Sequence, residues 1–305
     1  MLDVLISALV YSNLLSLLAI SLTLTILTCR VSNFAQGDVA MVGVYSAYAA
    51  SVVLGVSPYA CLPLAFFAGG AVSLISFLLV FEPLRRAGAG PVTLMVASMA
   101  LDMVIRYALH ASADLMQSNL KVYSRYFMFN DVVLSFSGVG VPGVLMSSTA
   151  TSVALLLLLY ALLYKTRFGV AMRASIENPQ LAEVLGINVR RVFSFSWFLS
   201  GALAATAGVF LPFRVQVSPD TGWSMLLSIF AAVVVGGMGS LAGSIVGSYL
   251  IGFSELLLSY LLALYGVSTA YRPLITFTAI VTTLLVSPRG LSALWSSRVR
   301  KPWRS

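Results

Sequence analysis

Apolar residues run along this chain in long blocks, not in the alternation of a half-buried strand or the narrow stripe of a soluble helix. The blocks are residues 4–28, 39–56, 59–81, 92–109, 146–164, 192–213, 223–235, 241–264 and 273–286. About 20 such residues cross the hydrocarbon core as one helix, because a helix rises only about 1.5 Å per residue. The pattern predicts an all-α polytopic membrane protein with about 8–10 transmembrane helices. Block 223–235 is short and extends toward Met238. Residues 30–38 and 236–243 interrupt the pattern, the second with glycine, and are expected to be broken or re-entrant segments.

Composition agrees with this class. Of 305 residues, 59% are apolar and 9% charged, and the mean hydropathy is +0.97. A soluble chain carries about 25% charged residues, so a soluble enzyme, a disordered protein and a nucleic-acid-binding module are excluded. The net charge of +8 therefore speaks to membrane orientation. If the loops at 28–38, 82–90 and 165–191 and the tail share one side, they hold most of the Lys and Arg, including Arg30, Arg85, Arg86, Arg190, Arg191 and Arg304. The remainder are Arg106, Lys121, Arg125, Arg214 and Arg272. By the positive-inside rule the first side is cytoplasmic. The amino end is then outside and the carboxyl end inside, as an odd number of crossings requires. The first residues carry Asp3 and no Lys or Arg, unlike a cleaved signal peptide. Cys29 and Cys61 form no CxxC pair and are expected near opposite faces, too far apart to bond.

Only two loops have any length. Residues 110–145 lie outside, residues 165–191 inside, and residues 288–305 form a cytoplasmic tail. Neither loop holds a soluble domain, so residues 1–305 are read as a single transmembrane domain. The inner loop contains a short helix over residues 179–185. Asn178 suits its N-cap, Pro179 its first turn and Gly186 its left-handed end. Leu181, Ala182 and Leu185 share one face. A helix of about two turns does not stand alone in water. It docks either on its own protein or the lipid surface, or in a groove on a cytosolic partner.

The segment from Arg167 to Ile187, with Phe168-Gly169, Met172-Arg173-Ala174, Asn178-Pro179, Ala182 and Leu185-Gly186, resembles the cytoplasmic loop of permeases from ABC importers for branched-chain amino acids, in their LivH-type branch. Residues 33–38 (Asn-Phe-Ala-Gln-Gly-Asp) resemble that family's Asn-Phe-Ala-His-Gly-Glu motif, with Gln36 for His and Asp38 for Glu. Residues 236–243 resemble its Gly-Gly-x-Gly-Ser-x-x-Gly motif, and Pro288-Arg-Gly-Leu291 its ending. The resemblance covers nearly the whole chain in order and spacing.

The resemblance implies an ABC importer permease-like fold and a mechanism. Arg173, Ala174, Glu177, Asn178, Leu181, Ala182, Leu185, Gly186 and Ile187 would form the coupling helix and its surroundings. They would seat in the cleft of an ATPase subunit whose closure switches the membrane helices between inward and outward access. It also implies two ABC ATPase subunits, a second related permease and a soluble extracytoplasmic substrate-binding protein, with ATP and magnesium held by the ATPases. The residues agree in one respect: the chain has no G-x-x-x-x-G-K-[ST] phosphate loop, and its lysines are Lys121, Lys165 and Lys301. No cofactor is expected on this chain.

Breaks in membrane helices commonly line substrate cavities. Asn33, Phe34, Gln36, Gly37 and Asp38, with Gly236, Gly237, Gly239 and Gly243, are therefore expected along the inner part of the pathway. The glycines at 239, 243 and 247 also permit close helix approach. Charges at depth are costly. Asp102 and Arg106, four apart, can pair on one face, either as a packing lock or as a gate. Glu255 has no basic residue one turn away, so it is protonated or paired with another helix, and Glu255→Gln is expected to be tolerated. The runner-up function is a stand-alone ion-coupled carrier of a small amphiphilic solute, with Asp102 or Glu255 as the coupling group. An integral membrane enzyme lacks a catalytic constellation.

Overall fold

The computed structural model describes residues 2–136, 139–268, 271–287 and 290–292. Each of the nine apolar blocks forms a helix. They are α1 (Leu2–Cys29), α2 (Gln36–Leu54), α3 (Leu62–Ser76), α5 (Pro91–Leu120), α6 (Gly143–Lys165), α9 (Val189–Val209), α10 (Thr221–Gly236), α11 (Leu241–Leu264) and α12 (Arg272–Val286). Between them lie α4 (Glu82–Arg86), α7 (Arg167–Glu177) and α8 (Pro179–Val184). Among the described residues, seven helical stretches are long and apolar enough to cross a membrane, and α10 and α12 are shorter apolar helices. The tail beyond 292, with Pro288 and Arg289 of the last motif, falls outside the described residues.

Two loop expectations change. Residues 110–120 are helical, because α5 continues through a polar but Ala-, Leu- and Met-containing stretch to Leu120. The connection proper, 121–142, ends in a small antiparallel hairpin of β1 (Val133–Phe136) and β2 (Val139–Pro142). It is tied to the bundle. Phe127 stacks on Tyr48 with ring centroids 4.0 Å apart, the Phe129 N–H donates to the Pro212 carbonyl at 2.9 Å, and the Tyr59 hydroxyl donates to Asp131 at 2.7 Å. The other long loop, 165–191, holds two helices, α7 and α8, where one was expected.

The centre of the bundle is α9 and α1; α5, α6 and α11 form a more exposed rim. Trp197 of α9 is wholly enclosed. Its ring lies 5.5 Å from that of Phe77 and 4.5 Å from that of Phe81. Residues Phe77–Phe81 form a single wide π turn between α3 and α4, and the bulge presents both rings to the one indole. The indole N–H donates to the Cys29 thiol sulfur at 3.3 Å. Cys29 and Cys61 are both free thiols. Small residues let the central helices touch backbone to backbone: a Cβ at Gly43 of α2 would overlap the Ala205 carbonyl of α9.

Candidate functional site

The paired helices α7 and α8 leave the bundle after α6. Thr166 caps α7 by accepting from the Gly169 N–H at 3.2 Å. Asn178 caps α8 by accepting from the Leu181 N–H at 3.0 Å. Gly186 adopts φ +83°, a region that costs other residues their Cβ clearance. The N–H of Ile187 reaches back to the Ala182 carbonyl at 2.9 Å and that of Gly186 to Glu183 at 3.0 Å, the two bonds of a Schellman end. The helix stops at Val184, one residue earlier than expected, and Leu185 is its cap.

The three residues expected on one face part company. Ala182 is buried at 1% exposure, whereas Leu181 is 55%, Leu185 71% and Val184 83% exposed. With fewer than two turns, α8 rests on its alanine and turns its larger aliphatic side chains away from the bundle. Glu177 is exposed and Ala174 half-buried. The Arg173 guanidinium donates to the Leu163 carbonyl at the end of α6 and lies over the Tyr164 ring at 5.5 Å. That cation therefore closes a helix carboxyl end within this chain. Beside this region Glu82, 2% exposed, holds Arg85 and Arg86 at 3.0 and 2.8 Å and reaches Arg190 of α9 at 4.0 Å. The spacings of Arg85 and Arg86 from Glu82, three and four residues, were visible in the sequence and could have marked it.

Residues 33–38 make a buried knot at the start of α2. The Gln36 amide donates to Ser21 of α1 at 2.8 Å and to Ser200 of α9 at 3.2 Å. It accepts from Asn33 at 3.2 Å, and the Phe34 N–H donates to Ser98 of α5 at 3.3 Å. Asp38 accepts from Arg106 at 3.1 Å. The same guanidinium pairs with Asp102 and lies 4.6 Å over the Trp223 ring of α10. The expected Asp102–Arg106 pair is thus part of a triad that joins α2 to α5, with Trp223 of α10 stacked on its guanidinium. One oxygen of each carboxylate, Oδ1 of Asp38 and of Asp102, is buried without a hydrogen-bond partner among the described residues.

The glycine segment adjoins the other end of α10. Gly37 packs against Gly222 in the first turn of α10, and residues 236–243 follow its last turn. Phe34 lies along the middle of α10, its ring 5.1 Å from that of Phe230, and Gln36 and Ser244, the residue after Gly243, bond to one stretch of α1, at Ser21 and Thr23. Gly237 (φ +109°) and Gly239 (φ +88°) turn the chain between α10 and α11. The backbones of Gly236 and Gly243 meet where neither could carry a Cβ, and Gly290 of the last motif sits on Gly237. Ser240 caps α11 by accepting from the Gly243 N–H at 3.0 Å.

Glu255 is paired with another helix. Arg272 of α12 donates to it from Nε at 3.1 Å and Nη2 at 2.9 Å. The hydroxyls of Tyr11, Ser228 and Thr276 donate at 3.1, 2.6 and 2.5 Å. One carboxylate therefore ties α1, α10, α11 and α12.

A sequence model of the permease component of branched-chain amino acid transport systems matches residues 4–286. A probable branched-chain amino acid transport permease protein LivH of Methanocaldococcus jannaschii is 42% identical over 94% of this chain and 91% of its own length. The high-affinity branched-chain amino acid transport system permease protein LivH of Escherichia coli K12 is 28% identical over 90% of each chain. The ribose import permease protein RbsC of the same strain is 25% identical over 89% of this chain and 81% of its own.

Proposed function

The chain belongs to the permease family of branched-chain amino acid transport systems, and on that premise we propose that it is the membrane-spanning subunit of an ATP-driven importer. Its cargo is a branched-chain or closely related neutral amino acid. It works by alternating access, with two ABC ATPase subunits supplying ATP and magnesium chemistry. A second related permease completes the membrane part, and a soluble binding protein delivers cargo from outside. The amino terminus faces out and α7, α8 and the carboxyl end face the cytoplasm, in keeping with the basic residues in those segments.

The single observation that carries this reading is α8: a doubly capped helix of six residues that buries Ala182 and exposes Leu181, Val184 and Leu185. A helix that short has little stability of its own. Its rigid caps hold three aliphatic side chains in fixed positions, which is what a hydrophobic groove on a partner requires. The likeness of the chain to importer permeases supports an ATPase as that partner.

The tagged protein purified from its own membranes in mild detergent is expected to bring ATPase chains and a second permease in stoichiometric amounts. The full complex in proteoliposomes takes up leucine when ATP is supplied. Val184→Asp changes an exposed site and shifts stability by no more than about 0.5 kcal/mol, yet it releases the ATPases and stops uptake. Uptake by this chain alone, driven by an ion gradient and indifferent to Val184→Asp, would replace the importer with a self-sufficient carrier.

A further inference from the structure

At the end of the bundle remote from α8, a cavity of about 580 Å³ lies between the first half of α1, the starts of α10 and α12, and α11. That volume is in the range of small-molecule sites. Its walls include two guanidiniums, Arg214 and Arg272. Arg272 is spoken for: Glu255 accepts from it twice, and the Tyr11 ring lies 4.6 Å beneath it. Arg214 is not. Its Nε and Nη2 are buried without a hydrogen-bond partner among the described residues, and the ion pair at the cavity, Arg272 with Glu255, does not include it. The cavity thus carries a guanidinium with two unmade donors and no carboxylate in salt-bridge contact among the described residues. Leaving buried donors of a charged group unmade is expensive, and a carboxylate is the anion whose two oxygens match the guanidinium fork. Much of the rest of the wall is aliphatic, with Leu14, Met225 and Leu256, and the Ser224 hydroxyl supplies an acceptor.

We propose that this cavity is a binding station for the cargo, the carboxylate of a neutral α-amino acid resting on Arg214 and its aliphatic side chain against Leu14 and Met225. The proposal takes from the permease reading only that the cargo is such an amino acid. The ammonium group finds Ser224 and the rim of the cavity, so the site selects a zwitterion with an apolar tail.

The test uses the full-length chain with Ser224→Cys, reconstituted in vesicles, and follows the labelling rate of the new thiol against the parent chain. Arg214 is expected to make an anionic methanethiosulfonate react about tenfold faster relative to a cationic one. Arg214→Gln levels that ratio and Arg214→Lys retains most of it. Leucine slows labelling and leucinol, which lacks the carboxylate, does not. Equal rates for the two reagents would overturn the site. Equal protection by leucine and leucinol would overturn the carboxylate contact. Slower labelling only when phosphatidylglycerol is added to phosphatidylcholine vesicles, with no protection by leucine, would assign the cavity to a lipid headgroup and overturn the cargo station. ATP-driven leucine uptake by the full complex is measured separately. Uptake without charge-selective labelling removes the station alone. Charge-selective, leucine-protected labelling without ATP-driven uptake removes the importer reading and leaves the site.

Discussion

Arg106 is shared by two carboxylates, Asp38 at 3.1 Å and Asp102, so the triad holds more acid than base. Removing the guanidinium leaves both acids buried without a counter-charge, whereas removing one acid leaves a balanced pair. Arg106→Gln is therefore expected to cost about 3–5 kcal/mol and Asp102→Asn much less. Thermal unfolding in detergent ranks them, and a lower midpoint for Asp102→Asn would sink the account. Glu255 changes its prospects in the same way. With no base nearby on its own helix, Glu255→Gln looks harmless; with Arg272 and three hydroxyls converging on the carboxylate, the amide unbalances a buried cation. The substitution is expected to lower the unfolding midpoint, and Arg272→Gln added to it to restore part of the loss, a coupling that a double-mutant cycle reads. Additive losses would show that the two side chains act independently. The Asp102–Arg106 spacing of four is a helical neighbour relation and shows in the chain. Asp38 is 68 residues from Arg106 and Arg272 is 17 from Glu255 across a turn, and no local period connects them.

At the scale of elements, the caps were the readable part. Asn178, Pro179 and Gly186 announce α8 because each has a distinct backbone reason for its place. The helix before it, α7, was missed, although Phe168, Ala171, Met172 and Ile176 recur at helical spacing and pack on the core. Which face of α8 meets the bundle was not legible, because an alanine among leucines does not advertise itself as the anchor. The glycine turn between α10 and α11 separates two effects. At Gly243 a Cβ collides with the Gly236 backbone, while at Gly239 it meets only Leu27 Cδ2 at an ordinary 3.5 Å and φ +88° alone resists a side chain. Gly239→Ala is expected to cost about 1–2 kcal/mol and Gly243→Ala more, because two helices must part. The yield of folded, monodisperse protein in detergent measures both, and equal losses would deny the packing role of Gly243.

Over the whole molecule, the seven long helical stretches among the described residues were legible because a bilayer demands uninterrupted apolar length, and α10 and α12 as shorter apolar runs. The depth of the break at 30–35 was not: it is set by Ser98 and Arg106 of α5, which the chain reaches only later. The proposed orientation gives a direct expectation. In intact cells an impermeant thiol reagent labels Lys121→Cys, in the α5 to β1 connection, and leaves Glu183→Cys of α8 untouched; the reverse pattern would invert the protein. The central position of α1 has a further consequence in time. A chain is made amino end first, so α1 is the first helix to leave the ribosome, yet its Thr23 waits for Ser244, its Asn13 for Thr149 and Tyr249, and its Ser12 for Gly252. Until α11 has been synthesised, the face of α1 that carries Ser12 and Thr23 lacks its neighbour. A nascent chain halted before residue 240 holds an unfinished centre, and the cell's quality-control proteases meet α1 with its polar face still bare.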